Sequence, residues 1–459
     1  MIRIRTSTAG IREVSSMGIV RREIMPGIWL NYLNIGKFKT SYMSFNLLTQ
    51  LRRETASLNA LIPSVLYRGT VRYPDMEKLN ARMEELYGAS IVPVVRQLGE
   101  IQCLGFSANF PEESFLPPGT DEFSNVVSLL SDILLHPATK GGLFLPQYVE
   151  SEKEKLSQLL LSVINNKRGY AAMRCREEMC CYEDYSAGRC GKAEDVEDIH
   201  YKKLTKQYRL LLETCPMEIF YCGSESEKRT VSVLKECLSA MPRGEIDYDI
   251  GTDIRLNALE AEPRFCREEM DISQARLVMG WRLGDSMDLE DRSRVTVFNA
   301  VFGGCVTSKL FMNLREKMGL CYDISSAPDM RKGLMFVNSG ISAENFDIAR
   351  DEILAQLEAI RNGDISDEEL EAAKAVCVAD TLAISDSQNA LDSFYLVRAV
   401  EGTDFSPEES AELIKDVTIS EVAEAAACAE CDMIYLLAPS AEDEAEETGN
   451  MPPEIDPEV

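Results

Sequence analysis

One pattern occurs twice in this chain, and it limits the fold the chain can adopt. Residues 79–89, LNARMEELYGA, form a helical run that stops at Gly88 and leads through a turn to the strand-like segment Ile101 to Phe110. Residues 310–320, LFMNLREKMGL, stop at Gly319 and lead in the same way to Gly333 to Ile341. A glycine at such a stop supplies the positive φ with which helices commonly end. A longer helical run follows each copy, Asp121 to His136 and Asn345 to Arg361, and then another, the second of which opens with a capping box at Ser366 and Glu369. Strand-like segments come earlier in each half, at Gly27 to Asn34, Ser41 to Leu48 and Ala275 to Arg282. Strands grouped into hairpins, with helices following them, predict an α+β class. Two homologous halves are expected, each an antiparallel-rich sheet with helices packed on one face. Residues 1–240 and 264–440 are the expected halves. Met241 to Pro263 is the expected linker, holding Pro, Gly, Asp and Glu with weak periodicity.

The second copy carries a chemical feature that the first lacks. Leu310, Phe311, Leu314 and Met318 fall on one helical face, with Arg315 one turn before Gly319 and Tyr322 just after it. A chain reversal at Gly319 brings a guanidinium and a phenol to one corner. Such a pair can hold a peptide carbonyl or the negative charge that develops on it. The matching positions of the first copy are Glu84 and Ile91, so the pair belongs to the second half alone. A plainer reading exists for each residue: arginine near a helix end caps carbonyls, and tyrosine in a strand packs in a core. Phe302-Gly303-Gly304 lacks the frame of a phosphate-binding loop. Its glycines are expected to let backbone, or substrate, approach closely.

The segment L-R-E-K-x-G-L-x-Y, preceded by Phe302-Gly303-Gly304 and Ser308-Lys309-Leu310-Phe311, resembles the C-terminal half of the insulinase/pitrilysin family of inverted-motif zinc metallopeptidases. The resemblance covers nearly the whole chain and implies a clam-like chamber. It implies that Arg315 and Tyr322 contact a substrate held at a zinc site on another half-molecule, with Phe302, Gly303 and Gly304 binding substrate. In the first half, Asn59 to Thr70, NALIPSVLYRGT, has the shape of the family's zinc helix running into its R/K-G-T turn. The motif there should read H-x-x-E-H. Aligned back from Gly69-Thr70, the two histidine positions hold Ala60 and Ser64 and the glutamate position holds Pro63. None of the three can ligate zinc or activate water. The third ligand should fall near Gln158 to Ser162, which reads QLLLS, with Glu152 and Glu154 nearby. No metal is expected in this chain. The resemblance therefore implies a zinc-bearing H-x-x-E-H sister subunit as partner in a heterodimer, and a peptide as substrate. The opening segment 26–47 and the degenerate motif resemble the bacterial inactive-partner subunits, some of which are named for an association with elongation factor P 5-aminopentanol modification.

Charge and composition exclude other classes. A formal net charge of −28 over 459 residues disfavours binding to nucleic acid. Eight of the carboxylates lie in the tail, residues 441–459, which contains no base and is expected to be disordered. The remainder stays at about −20 and would favour basic peptides over acidic ones. No apolar run approaches the ~20 residues that a membrane span requires. The N-terminus lacks a signal-like apolar core. Fourteen cysteines are scattered without framework spacing, so reduced thiols and a cytoplasmic location are expected. Three functions fit: a non-catalytic subunit of a zinc metallopeptidase, a peptide- or protein-binding pseudopeptidase, and a scaffold.

Overall fold

The computed structural model describes residues 2–5, 12–13, 18–284 and 292–440; the acidic tail lies outside them. The chain forms two compact units that do not follow its linear order. One holds Met1–Ser162, Tyr182–Ile254 and Asp380–Glu412; the other holds Val163–Cys181, Arg255–Ala379 and Leu413–Val459. The expected halves, 1–240 and 264–440, are corrected accordingly. Each half gives one helix to the unit built mainly from the other.

The sheets show the repeat directly. In the first unit the strands lie in the order Arg12–Glu13, Val20–Met25, Ile28–Asn34, Met217–Gly223, Thr40–Gln50, Ile101–Pro111, Ser90–Leu98. In the second the order is Arg264–Met270, Glu430–Pro439, Ala275–Arg282, Leu334–Ile341, Cys321–Asp329. The five strands from Ile28–Asn34 onward share one topology with these five. In both, the last strand in sequence inserts parallel to the first and antiparallel to the second. The remaining pairs of the five are antiparallel, and in each unit one of them, Ser90–Leu98 with Ile101–Pro111 or Cys321–Asp329 with Leu334–Ile341, is a hairpin. Helices Met76–Glu85 and Glu122–Leu135 of the first copy, and Phe346–Arg361 of the second, lie where the apolar periodicity places them. The Ser366/Glu369 box forms in both directions, at 2.9 and 3.1 Å.

Residues along a strand alternate between faces, and here both faces are covered. Ile28, Leu30, Tyr32, Met43, Phe45 and Leu47 join the main core of the first unit, under its helical layer. Leu33, Tyr42, Phe220 and Cys222 point the other way and pack against Leu391 and Tyr395 of helix Gln388–Glu401. In the second unit Leu277, Met279 and Trp281 face the main core. On the opposite face Cys175 of helix Lys167–Met179 points its thiol at the Val278 carbonyl. Gly280 lets that helix pack closely: a Cβ would lie 2.6 Å from the Met179 sulfur, which would have to shift.

The two faces differ in chemistry. Burying one large apolar side chain stabilises a fold by roughly 1.5–3 kcal/mol, so the main cores supply the driving force. The second faces mix apolar side chains with buried polar and charged ones, and those polar groups need partners. Asp392, fully buried, accepts from Ser44 at 2.6 Å, Tyr42 at 3.0 Å and Arg96 at 2.5 Å. In the second unit Arg264 and Arg282 donate to the Met179 carbonyl, at 2.9 and 3.3 Å, where helix Lys167–Met179 ends. Cations suit the exposed carbonyls of a helix C-terminus. Asp432 balances both arginines at 2.8 and 2.9 Å. On the same helix Tyr170 and Arg174 donate to Glu268, which also accepts from Tyr435.

The expected linker, 241–263, is not a bare tether. Met241 and Ile250 are buried, and Gly251–Ile254 pairs with Ile2–Arg5. Arg243 donates to the carbonyls of Pro26, Leu212 and Cys215. The passage between units falls inside it, at Ile254/Arg255.

Two outcomes follow. Asp392→Ala leaves the Arg96 charge unmatched in a buried place and should destabilise the protein by about 3–5 kcal/mol, read by urea unfolding; Arg96→Leu with Asp392→Leu should cost less than that single change. Glu268 gives a pH dependence. Burial pushes its carboxyl up, but hydrogen bonds from Tyr170, Tyr435 and Arg174 outweigh burial and hold its pKa below the ordinary glutamate value. The folded state therefore binds this proton less tightly than the unfolded chain. The stabilisation is complete above about pH 4.3, the unperturbed value, and is lost as pH falls through the depressed folded-state pKa. Glu268→Gln should flatten that acid limb in thermal melts across pH 3 to 6.

Candidate functional site

The first-half helix in question runs Ala56–Leu66 with Pro63 inside it. Ala60 and Pro63 are buried, and Ser64 is partly so. Pro63 has no N–H to give to the Asn59 carbonyl. Asn59 is a buried polar group of this helix, beside Ser57, and it is matched by neutral amides. Gln207 donates to its oxygen at 2.8 Å, and its nitrogen donates to Gln102 at 3.0 Å. Gln102 in turn donates to the carbonyls of Ala56 and Arg189, at 3.0 and 2.7 Å. Carboxamides bind one another here where a metal site would need imidazoles and carboxylates. Helix Pro146–Ser162 leaves Leu159 and Leu161 exposed at the expected third-ligand position. Its Glu152 is buried and paired with Arg68 at 3.3 Å and Lys155 at 2.7 Å. Among the described residues no three His, Cys, Asp or Glu side chains converge as a metal site. The following Arg68-Gly69-Thr70 turn keeps its shape, since a Cβ on Gly69 would lie 2.5 Å from the Pro74 carbonyl oxygen.

The second-half corner is built by two departures from regular structure. The helical run before Gly319 widens into a π-helix over Phe311–Lys317, and the Met318 N–H reaches back five residues to Asn313. That wider turn corrects the expected apolar face. Leu310 and Leu314 are buried, Phe311 is partly buried, and Met318 turns out to solvent. Gly319 takes φ +64° and ends the helix as the sequence implies. The strand that follows carries a β-bulge. Cys321 pairs with Ile341 and Asp323 with Gly340, which leaves Tyr322 as the extra residue. A bulge re-aims the side chain it carries, and Tyr322 is 69% exposed.

Arg315 stands beside this bulge. Burial raises the thiol pKa of Cys321, and the Arg315 charge is near enough to act against that rise. The Arg315 guanidinium lies 4.7 Å from the Phe311 ring centre and 3.8 Å from Glu316, with its side chain 43% exposed. Neither Arg315 nor the Tyr322 hydroxyl makes a hydrogen bond among the described residues, so their donors face solvent uncommitted. The bulge itself is fixed from behind. Asp323 pairs with Arg276 at 2.7 Å and Arg168 at 3.5 Å, and Arg168 donates to Ser325 at 2.7 Å. Gly340 leaves room for this cluster; a Cβ there would meet Asp323 at 2.6 Å and Arg276 at 2.8 Å.

Phe302 is a correction. It is fully buried, stacked on Phe298 at 5.9 Å and edge-on to Trp281 at 6.0 Å, so its side chain is core and does not meet a substrate. Gly303 is buried too. It permits close packing within the fold, since a Cβ would lie 2.8 Å from the Ser326 hydroxyl on the bulged strand. Gly304 is exposed and closes a second π-helical turn, Ala300–Gly304. Sequence periodicity could not reveal the two π turns, the bulge or the amide network. The one available signal was Asn59 itself, a polar residue inside an apolar helix.

Comparison with known proteins bears on the family and the fold. Residues 198–377 match the family model described as the peptidase M16 inactive domain. A Bacillus subtilis protein named probable inactive metalloprotease YmfF is 29% identical over 413 residues, which is 90% of this chain and 96% of that protein. The crystal structure of a conserved protein from Enterococcus faecalis V583 is 28% identical, with a TM-score of 0.83, and the match covers 92% of this chain and 99% of that one. The peptidase M16 inactive domain from Pseudomonas fluorescens shares the fold at 16% identity, TM-score 0.71, with 92% and 98% of the two chains covered. No helix among the described residues is long and apolar enough to cross a membrane.

The amide network sets an expectation for metal. Elemental analysis of the purified protein should find no stoichiometric zinc, and one tightly bound zinc per chain would contradict the reading. Placing histidines at Ala60 and Ser64 and a glutamate at Pro63 should not create peptidase activity, because the third ligand is also missing.

Proposed function

Taking as premise that this chain is an inactive relative of the insulinase/pitrilysin-type (M16) metallopeptidases, we propose that it is the non-catalytic subunit of a heterodimeric zinc metallopeptidase. Its partner is a sister chain carrying H-x-x-E-H, and zinc resides there. This chain binds the peptide and presents Arg315 and Tyr322 to the partner's site. The reaction takes place in the cytoplasm and serves peptide or protein maturation.

The observation that carries this reading is the contrast between the two halves. In the first half the metal-motif positions hold buried Ala60 and Pro63 and the partly buried Ser64, beside a network of paired amides at Asn59, Gln102 and Gln207. In the second half Arg315 and Tyr322 stand exposed, with their donors uncommitted, on a corner that a bulge and a π turn define. Exposed side chains serving only stability have no need of a buttressed bulge. A guanidinium offers a fixed planar charge, and a phenol offers a neutral donor. Together they suit a peptide carbonyl on which negative charge grows, where one well-placed donor is worth ~10²–10³ in rate.

The experiment pairs this chain with its H-x-x-E-H partner. Alone, the chain should cleave no peptide; added to the partner, it should raise kcat. Tyr322→Phe and Arg315→Ala should each lower the kcat of the pair by about 10²-fold without weakening association, measured by sedimentation. Arg315→Lys should rescue only in part, since an ammonium lacks the planar fork. Wild-type turnover by both variants in a well-formed heterodimer would refute donation and leave a peptide-binding pseudopeptidase.

A further inference from the structure

Cys321 and Asp323 stand two residues apart, and in a regular strand they would share a face. Here they do not. Cys321 belongs to the main core of the second unit, whereas Asp323 reaches Arg276 and Arg168 on the face covered by helix Lys167–Met179. The strand changes parity between them, and Tyr322 is the residue that this change expels. Alternation then resumes: Ile324 joins the core, and Ser325 accepts the Arg168 hydrogen bond on the other side.

Two anchors therefore decide where Tyr322 points. One is apolar, the buried Cys321. The other is ionic and held from several sides. One carboxylate oxygen of Asp323 accepts from Arg276 at 2.7 Å, and the other lies 3.5 Å from Arg168. The Asp323 carbonyl accepts from the Ser339 hydroxyl at 3.2 Å. Arg276 is aimed in turn by Gln274, whose side-chain oxygen accepts from it at 3.1 Å. The pair crosses Gly340, the one point on that strand where a Cβ would displace both partners. A carboxylate turned to the core instead would be buried and unpaired, so the charge of Asp323 forbids regular alternation. The ion pair itself adds little stability, because Asp323 is about one-third exposed. Its consequence is geometric.

We propose that Asp323 is the positioning residue of this corner: held by Arg276 across Gly340, it keeps the bulge in place and the Tyr322 phenol directed outward beside Arg315. Asp323 touches no substrate and acts only through Tyr322. The inference rests on the donation of Tyr322 to the partner's site, and it adds the group on which that donation depends. A phenol free to turn toward the core would be lost to the reaction, and a misplacement of about 1 Å can already cost ~10²-fold in rate.

Two measurements separate positioning from donation. In the first, 3-fluorotyrosine replaces Tyr322 alone in the full chain, and its fluorine NMR line reports the surroundings of the ring. Asp323→Ala and Arg276→Met should each shift or split that line. Gly340→Ala should do so too, since it displaces the pair without removing a charge. All three should keep a cooperative thermal melt, and where one does not, the other two carry the same test. In the second, the chain is assembled with its H-x-x-E-H partner. Asp323→Ala should lower kcat about tenfold with KM changed less than about twofold. In a Tyr322→Phe background the same substitution should cost less than about twofold more, because the group it positions is already gone. A fluorine line that stays unchanged in the folded variants overturns the proposal, and so does a loss of kcat that multiplies in full with that of Tyr322→Phe. If Tyr322→Phe alone leaves turnover intact, donation has failed, and the fluorine line by itself decides whether Asp323 positions the ring.

Discussion

A sheet buried on both faces has to satisfy polar groups on each of them, and in this protein that constraint governs the architecture. The main faces are apolar and need only volume. The second faces carry Ser44, Asn46, Arg96, Arg282 and Asp432, and none of these tolerates a dry, unpaired environment. Helix Gln388–Glu401 brings Asp392 to the first sheet, and helix Lys167–Met179 brings its C-terminal carbonyls to Arg264 and Arg282 on the second. Each helix supplies what its sheet lacks. Apolar burial favours collapse in general; these hydrogen-bonded charges admit one helix in one register.

Much of the fold was legible in the sequence because it rests on local periodicity. The helix–glycine–strand pattern, the long helices and the Ser366/Glu369 cap are properties of short segments, and all of them appear. The exchange of helices was not legible. Helices Lys167–Met179 and Gln388–Glu401 carry an ordinary amphipathic signal that does not say which sheet receives them. The strands gave a hint, since their nearly continuous burial, as in Thr40–Gln50, requires cover on two sides. Tyr42, Ser44 and Asn46 would otherwise read as a solvent-facing row.

At the candidate site the identities of Arg315 and Tyr322 could be read from spacing, but their presentation could not. A π turn and a bulge each shift the register by one residue, and periodic arguments assume that no such shift occurs. The same assumption misplaced Met318. The resemblance made Phe302 look available to a ligand, although it packs between Trp281 and Phe298. The degenerate half behaved differently. Loss of a metal ligand is a statement about residue chemistry, and no geometry can restore an imidazole to Ala60.

The interleaved units bear on how the chain folds as it is synthesised. The first sheet is complete in sequence once Met217–Gly223 has emerged, yet its second face stays bare until Gln388–Glu401 follows. During that interval Asn46, Ser44 and Arg96 remain hydrated, and the nascent sheet has no reason to exclude water from that side. Helix Lys167–Met179 waits likewise, made early but lacking the strand Glu430–Pro439 and its Asp432. Neither half of the sequence contains all the elements of its unit. A ribosome paused midway would hold a chain with an open sheet and an orphaned helix, a natural client for a chaperone.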